Sequence, residues 1–388
     1  MFSASPGGID TDVFLSEYWQ KKPLLIKNAL PDFQDYLTPE ELAGLSLEDE
    51  VESRLVFNSN DTWSMKSGPF SERDFTFLPE HDWTLLVQSV DHWLPSVKEL
   101  LQHVPFLPTW RLDDVMISYA ARNGGVGPHF DYYDVFLVQG MGSRRWQTGA
   151  RCNSQSGVNT SSGLKILESF TPEHEWTLES GDILYIPAGL SHYGIAMEPG
   201  LSYSIGFRAP DLPELLGAIS LQAEDTFTGD IRYRDPRLSS SSKPGEIDEA
   251  AIQQVNALLQ TALNEPDFIL ESFGRLMTDP RLPELLELPE TALSPTQLAN
   301  QLQKGLQLTR HPVTRMACHH AGNVLHLFIN GGYLRFDSPN EHLLGLNDEL
   351  QSAVGRPLQL ARYQRNEACL DLLSELYNQG ILVSEDSL

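Results

Sequence analysis

Two histidines and an aspartate, His129, Asp131 and His192, have the residue types and spacing of a facial metal site. A glycine-rich approach, Gly124-Gly125-Val126-Gly127-Pro128, leads into His129, and the apolar run from Phe130 to Gln139 predicts a strand. Alternate side chains on a strand share a face, so His129, Asp131 and Tyr133 are expected to point the same way. His192 lies 63 residues on (192 minus 129), after a strand-like run over 183–186 and a Pro187-Ala188-Gly189 turn that can carry it back to the first pair. Two imidazoles and one carboxylate on one side of a metal leave the other side open to reagents, which is the arrangement of a non-haem Fe(II) centre. A lone His-x-Asp pair is a weak signal, because short motifs match by chance. The strand context, the Gly-Asp-x-x-x-x-Pro-x-Gly-x-x-His run from Gly181 to His192 and an arginine at Arg144 or Arg145 together make it specific.

The elements that must position these residues lie between Arg111 and Phe207. Short apolar runs over 115–121, 130–139, 145–148, 175–178, 183–186 and 202–207 alternate with glycine, proline and serine. Strands at this density predict a sandwich or barrel, and the jelly roll of the cupins is one such solution. Upstream, Phe14, Tyr18 and Trp19 recur at helical spacing before a strand at Pro23, and Thr38-Pro39-Glu40-Glu41 reads as a capping-box start for a helix to Leu45. Residues 89–101 also read as helix, with His92 and Trp93 as packing residues. Downstream of Asp211 the chain turns helical, with apolar stripes at Leu215, Leu216, Ile219 and Ala223 and, beyond a flexible Ser239-to-Gly245 break, at Ile252, Val255, Leu259 and Leu263. Leucine-rich helices appended to a barrel are expected to bury their faces against a second copy, making a homodimer.

A third composition begins near Pro289. Ser294-Pro295-Thr296-Gln297 is another capping-box start, strand-like runs follow over 314–318, 324–329 and 333–336, and helical patterns cover 341–354 and 367–378 before a stop at Gly380. Helices with a small sheet predict a winged helix. The expected organisation is α+β: a double-stranded β-helix domain over 1–210, a helical dimerisation region over 211–288 and a winged-helix-like domain over 289–388.

Composition narrows the function. Over 388 residues the chain is 41% hydrophobic and 21% charged, an ordinary globular balance with length for two or three domains. No apolar run approaches the length of a membrane span, and the start, Met1 to Gly8, lacks the basic and apolar regions of a signal peptide, so a cytoplasmic protein is expected. Three scattered cysteines, Cys152, Cys318 and Cys369, support no disulfide framework and no four-thiolate site. Cys318-His319-His320 tempts a metal reading, but neighbours on a strand face opposite ways. The formal charge of −26 argues against general nucleic-acid binding and suits a basic partner such as a ribosomal protein. From Gln301 to Leu388 there are seven Lys and Arg against nine Asp and Glu, so the C-terminal domain has no basic stripe and direct DNA binding is not expected.

With these residues in view, the sequence resembles the JmjC-type ribosomal oxygenases of the cupin superfamily, and within them the bacterial ribosomal-protein arginine hydroxylases. The likeness is carried by Tyr18-Trp19-Gln20-Lys21-Lys22-Pro23, Asp113-Asp114-Val115-Met116-Ile117-Ser118, Gly127 to Phe136, Gln139-Gly140 through Arg144-Arg145-Trp146, and Pro187-Ala188-Gly189-Leu190-Ser191-His192. It is strong over the first half and rests on domain order beyond. The resemblance implies Fe(II) and 2-oxoglutarate, with His129, Asp131 and His192 as iron ligands, Arg144 on the far carboxylate of 2-oxoglutarate and Ser118 as a hydroxyl beside it. A guanidinium suits that task because it can hold a carboxylate by two parallel hydrogen bonds. Arg145 competes on strand alternation, and Arg144 is preferred by resemblance.

For the substrate, Asp114, Tyr133 and Ser204 offer a carboxylate, a phenol and a hydroxyl suited to an arginine guanidinium. The alternative readings are a turn cap for Asp114 and a metal shield for Tyr133. The expected activity is hydroxylation of an arginine on a large-subunit ribosomal protein. Competing activities are histidine hydroxylation or protein demethylation by the same chemistry, or a non-catalytic cupin-type binding protein.

Overall fold

A computed structural model describes residues 8–59, 62–227, 229–235, 245–352 and 356–384. The start up to Gly7, and all of the Ser239-to-Gly245 break except Gly245, lie outside the described residues.

The N-terminal part opens with α1 (Thr11–Val13) and a π-helical turn over Phe14–Tyr18, then β1 (Leu24–Ile26). The short helix α2 (Pro39–Leu45) starts as its residues predict: the Thr38 side chain accepts from Glu41 N, and the Glu41 carboxylate accepts from Thr38 N. Three strands that the sequence reading leaves out follow, β2 (Ser53–Ser59), β3 (Thr62–Ser67) and β4 (Trp83–Val87), with α3 (Glu72–Thr76) between the last two. The expected helix over 89–101 is broken into α4 (Val90–Trp93), α5 (Pro95–Lys98) and a 3-10 turn. Pro95 causes the break, because it cannot donate into the preceding turn and pushes Leu94 into the extended region.

The barrel strands are β5 (Leu112–Ala120), β6 (Val135–Gln139), β7 (Arg144–Arg151), the short pair β8 (Val158–Asn159) and β9 (Ile166–Leu167), then β10 (His174–Leu178), β11 (Ile183–Ile186), β12 (Leu190–Ala196) and β13 (Gly200–Phe207). The major sheet runs β1-β11-β6-β13-β5-β4-β2-β3 and is antiparallel throughout. The minor sheet is β10-β7-β12. Period-two alternation divides the major sheet's faces. Val115, Ile117, Phe136, Val138, Tyr203 and Ile205 enter the main apolar core with Phe14 and Leu100. Their neighbours Asp114, Met116, Ser118, Leu137 and Ser204 line the space between the two sheets.

The expected strand over 130–139 exists only from Val135. Its partners run out there: β11 ends at Ile186, opposite Val135, before Pro187, and the pairing with β13 ends at Gly206, also opposite Val135. Residues 130–134 form no ladder. Asp134 is fully buried on the core side and accepts from Tyr185 Oη at 2.6 Å and Gln20 Nε2 at 3.2 Å. His129, Asp131 and Tyr133 nonetheless line the inter-sheet space.

Beyond the barrel come α6 (Leu212–Thr226), α7 (Glu249–Leu263) and α8 (Phe268–Thr278), then α9 (Pro295–Gln303), β14 (Leu308–Arg310), the meander β15 (Met316–Ala321), β16 (Val324–Ile329) and β17 (Gly332–Asp337), α10 (Glu341–Ser352), α11 (Glu367–Asn378) and β18 (Leu382–Ser384). Strand β18 pairs with β14, and the three helices α9 to α11 close one apolar core over the meander. The fold is therefore a double-stranded β-helix followed by helices and a winged helix. Among the described residues no helix is long and apolar enough to cross a membrane.

A buried polar seam joins the barrel to the winged helix. Lys98 Nζ donates to the Pro312 carbonyl, Arg315 donates to the Leu112 carbonyl at 3.0 Å and to Asp113 Oδ1 at 2.7 Å, and His92 and His311 sit close by. Burial pushes the Lys98 ammonium down to about 7. Burial also lowers His92 to about 3, and burial with Lys98 lowers His311 to about 4. His311 Nδ1 accepts from Val313 N, a bond open only to the neutral ring. An unfolded chain takes these protons near 6.5 while the folded seam refuses them until about 4 and 3, so both histidines lower stability as pH falls below 6.5. Chemical denaturation at pH 7 and pH 5 tests this. His311→Gln should lose less stability between the two values than wild type, and an equal loss would remove His311 as a cause.

Candidate active site

The glycine-rich segment brings the first histidine to the second. It runs beside β12, with Asn123 N donating to the Ala196 carbonyl at 2.8 Å and Ala196 N to the Gly124 carbonyl at 3.0 Å. Only glycine can approach this closely: a Cβ on Gly125 would stand 2.4 Å from the Gly194 carbonyl oxygen. The pairing ends in an isolated antiparallel bridge in which His129 N donates to the His192 carbonyl at 3.0 Å and His192 N to the His129 carbonyl at 2.8 Å. The Pro187-to-Leu190 turn closes on the same segment, with Gly189 N donating to the Asp131 carbonyl at 2.7 Å.

The two imidazole rings consequently stand 4.2 Å apart, centroid to centroid. Asp131 Oδ2 lies 3.8 Å from His129 Nε2 and 3.5 Å from His192 Nε2, and ligand atoms of all three residues lie within 4.8 Å of one another. Each ring has its other nitrogen on a backbone carbonyl: His129 Nδ1 donates to Gly127 O and His192 Nδ1 to Leu190 O, both at 2.9 Å. A carbonyl can only accept, so Nδ1 carries a proton in both rings and Nε2 is the nitrogen turned toward Asp131. Burial, then the neighbouring His129, lowers His192 to about 4, so its ring is neutral at physiological pH. Two imidazole Nε2 atoms and a carboxylate oxygen form a donor set that fits a divalent first-row metal with open positions.

Arg144, at the start of β7, faces the same cavity, which measures about 510 Å³. It is buried, donates through Nη1 to Ser118 Oγ at 3.2 Å, and has no carboxylate within ion-pair reach among the described residues. Burial lowers it only to about 10, so it remains a cation. A buried cation without a counterion is costly, and the cavity in front of it fits an anionic ligand. Strand alternation turns Arg145 away from this cavity, whereas Trp146 joins Arg144 on it with its indole N–H unpaired.

At the other end of the cavity lie Asp114, Tyr133 and Ser204. Asp114 is 5% exposed and accepts from Gln88 Nε2, Ser89 N, Ser89 Oγ and Arg281 Nη1. This is no turn cap, because its partners come from β4's end and from the far side of α8. Tyr133 is 43% exposed at the mouth, and burial of its phenol together with Asp131 raises it above the ordinary range, so the hydroxyl stays protonated. The sequence reading missed Arg54 on β2, Glu52 and Gln88 at the ends of β2 and β4, and Arg281. Trp146 was within reach of the alternation rule two positions beyond Arg144.

Comparisons with known proteins agree with this geometry. A family model described as a JmjC domain matches residues 99–215, and one described as a ROXA-like winged helix matches 257–383. The ribosomal protein uL16 3-hydroxylase of Escherichia coli is 36% identical over 297 residues, 76% of this chain and 79% of that protein. A probable ribosomal oxygenase of Haemophilus influenzae is 42% identical over 260 residues, 66% of this chain and 64% of that protein. The structure of YcfD, an E. coli ribosomal oxygenase, in complex with cobalt and 2-oxoglutarate superposes with a TM-score of 0.84 at 33% identity, covering 97% of this chain and 98% of that one. The fold and the open donor cluster define a JmjC-type oxygenase, and the chain belongs to the ribosomal oxygenase family.

Trp146 lies across the β7–β12 ladder from Gly194, and a Cβ on Gly194 would stand 2.7 Å from its ring. Gly194→Val should therefore lift Trp146 from the cavity wall beside His192 and cost about 1–3 kcal/mol. Thermal denaturation and indole fluorescence check this; an unchanged melting temperature and spectrum would show that the ring is not packed on that glycine.

Proposed function

We propose that this protein is an Fe(II)- and 2-oxoglutarate-dependent hydroxylase that adds a hydroxyl group to an arginine side chain of a large-subunit ribosomal protein. The observation that carries the reading is the content of one cavity: an open His/Asp/His donor set, a buried uncompensated guanidinium on one side of it and a buried carboxylate on the other. His129 and His192 through Nε2, and Asp131 through its carboxylate, would hold the metal. Arg144, steadied by Ser118, would take the far carboxylate of the keto acid.

When bound, the iron supplies oxidising power: dioxygen and 2-oxoglutarate give succinate and carbon dioxide, with one oxygen atom entering succinate and the other the substrate carbon. The protein aims that carbon. Asp114 attracts the guanidinium, while the Tyr133 and Ser204 hydroxyls offer further polar contacts along its path. The acidic chain, at −26, favours a basic ribosomal protein. That substrate supports a cytoplasmic setting.

We also propose the division at 1–210, 211–288 and 289–388, with α8 as the joint, since it packs on α6 and on all three strands of the meander. Homodimerisation through the middle region is supported by α7, in which no residue is buried although Ile252, Val255, Leu259 and Leu263 form an apolar stripe. Sedimentation at micromolar concentration should give a dimer; a monomer alone would contradict this.

The activity is tested by incubating the protein with Fe(II), 2-oxoglutarate and ribosomal-protein peptides, then locating a gain of one oxygen by fragment mass spectrometry. The gain should fall on arginine; a gain on histidine, or loss of a methyl group, would reject the assignment. Asp131→Ala should lose turnover and bind Co(II) at least about tenfold more weakly, as expected when a charged ligand is removed. Retained affinity would take Asp131 out of the metal site.

A further inference from the structure

Arg281 follows α8, far along the chain from the barrel, yet its side chain lines the cavity. Its Nη1 donates to Asp114 Oδ2 at 2.8 Å. The same oxygen accepts from Gln88 Nε2 at 2.7 Å, Ser89 N at 3.0 Å and Ser89 Oγ at 2.7 Å. Among the described residues no donor reaches Oδ1. That oxygen faces Gly206 and Tyr133: a Cβ on Gly206 would stand 3.6 Å from Oδ1 and 4.0 Å from the Tyr133 ring, so the glycine keeps the gap between them open. One oxygen of the carboxylate is saturated from behind, and the other is presented to the cavity.

We propose that Arg281 is a positioning residue for the substrate, fixing the Asp114 carboxylate so that Oδ1 is free to accept the target guanidinium. This rests on the arginine-hydroxylase reading, and it makes the segment after α8 part of the active site. The electrostatics agree with the geometry. Asp114 is raised above the ordinary carboxylate range by burial first and then by Asp91 and Asp113, with Arg281 and Gln88 opposing. Asp113 stands beside it on β5, Asp91 and His92 face it from α4, Tyr133 from the bend before β6, and Glu52 from the residue before β2. Of the cations nearby, Arg315 is taken up by Asp113, leaving Arg281 as the one bonded to Asp114. Without it, the carboxyl among these acids would hold its proton to a higher pH, and a neutral carboxyl binds a guanidinium weakly.

The test is steady-state kinetics with an arginine-containing ribosomal peptide. Arg281→Gln should raise the peptide KM about tenfold, with kcat changed less than about threefold, since removing one partner of a bonded charge pair weakens binding. The acid limb of kcat/KM should move to higher pH, because loss of the cation raises Asp114. Arg281→Lys should recover most of both. Arg315→Gln, which removes neighbouring bonds to Leu112 and Asp113 but none to Asp114, should leave the peptide KM near wild type. An equal rise in Arg315→Gln would reduce Arg281 to a docking contact between modules. A lowered KM in Arg281→Gln would mean that Arg281 competes with the substrate, and an unchanged one that it plays no part; each overturns the proposal. Asp114→Asn separates the two levels: an unchanged peptide KM there would sink the substrate-contact reading itself. Weakened binding in Asp114→Asn beside wild-type behaviour in Arg281→Gln would sink only the role of Arg281.

Discussion

Two reciprocal backbone hydrogen bonds, between His129 and His192, hold the site together. Without them the donor set would depend on two chain segments meeting by side-chain contact alone. With them, both imidazoles leave the same bridge toward one point, and the Gly189 N–H bond to the Asp131 carbonyl adds the third donor. Backbone geometry sets positions more firmly than side-chain packing, because each bond fixes two residues whose remaining freedom is only χ1 and χ2. The Nδ1 bonds to Gly127 and Leu190 then remove most of that freedom and choose the tautomer. The glycines at 124 and 125 are the condition for all of this, since a Cβ on Gly125 would strike the Gly194 carbonyl of β12 and one on Gly124 the Trp83 carbonyl of β4.

Around that bridge the cavity is electrostatically two-ended. Arg144 supplies a buried positive charge at one end, and Asp114 a buried negative one at the other. Each is costly alone, and the protein treats them differently. Asp114 is offset by Arg281 and three further donors, whereas Arg144 has one serine hydroxyl and, among the described residues, no anion. On the proposed function, a dianionic co-substrate at Arg144 would remove an existing penalty, and a cationic substrate at Asp114 would find an already oriented acceptor. Ligand preference thus follows from where the chain leaves charge uncompensated.

The sequence made the site more legible than the sheet that carries it. His129, Asp131 and Asp114 could be read from residue type and period-two alternation, whereas Ser118 and Arg144 came from the resemblance, since alternation alone left Arg145 open. Residues 130–134 form no ladder and bend at Tyr132 and Tyr133, yet His129, Asp131 and Tyr133 still line one cavity. The ladder itself is a property of partners: the pairings of β6 with β11 and with β13 both end at Val135, and nothing between Phe130 and Asp134 announces that. Strands β2, β3 and β4 were missed for a related reason. Arg54 of β2 and Thr84 of β4 line the cavity and β3 has no buried residue, so these segments lack the clean apolar alternation of a half-buried strand. The capping boxes at Thr38 and Ser294 were legible because they are complete within four residues.

Arg281 shows the limit of such reading most plainly. It sits 167 residues from Asp114, in a segment with no motif, and its sequence neighbours Pro280 and Leu282 give no hint of a charged partner. The contact exists because α8 packs at once on α6 and on the β15–β17 meander, which fixes where the chain must turn after Thr278. Arg315, from the start of the meander, reaches the neighbouring Asp113 across the same seam. Adjacent acids on one barrel strand are therefore met by two arginines that belong to the C-terminal half. A pair of like charges side by side in a half-buried strand is unfavourable unless each finds a cation. The barrel could keep Asp113 and Asp114 together only in a chain whose later modules return to neutralise them, and this ties the placement of the winged helix to the acidic end of the cavity.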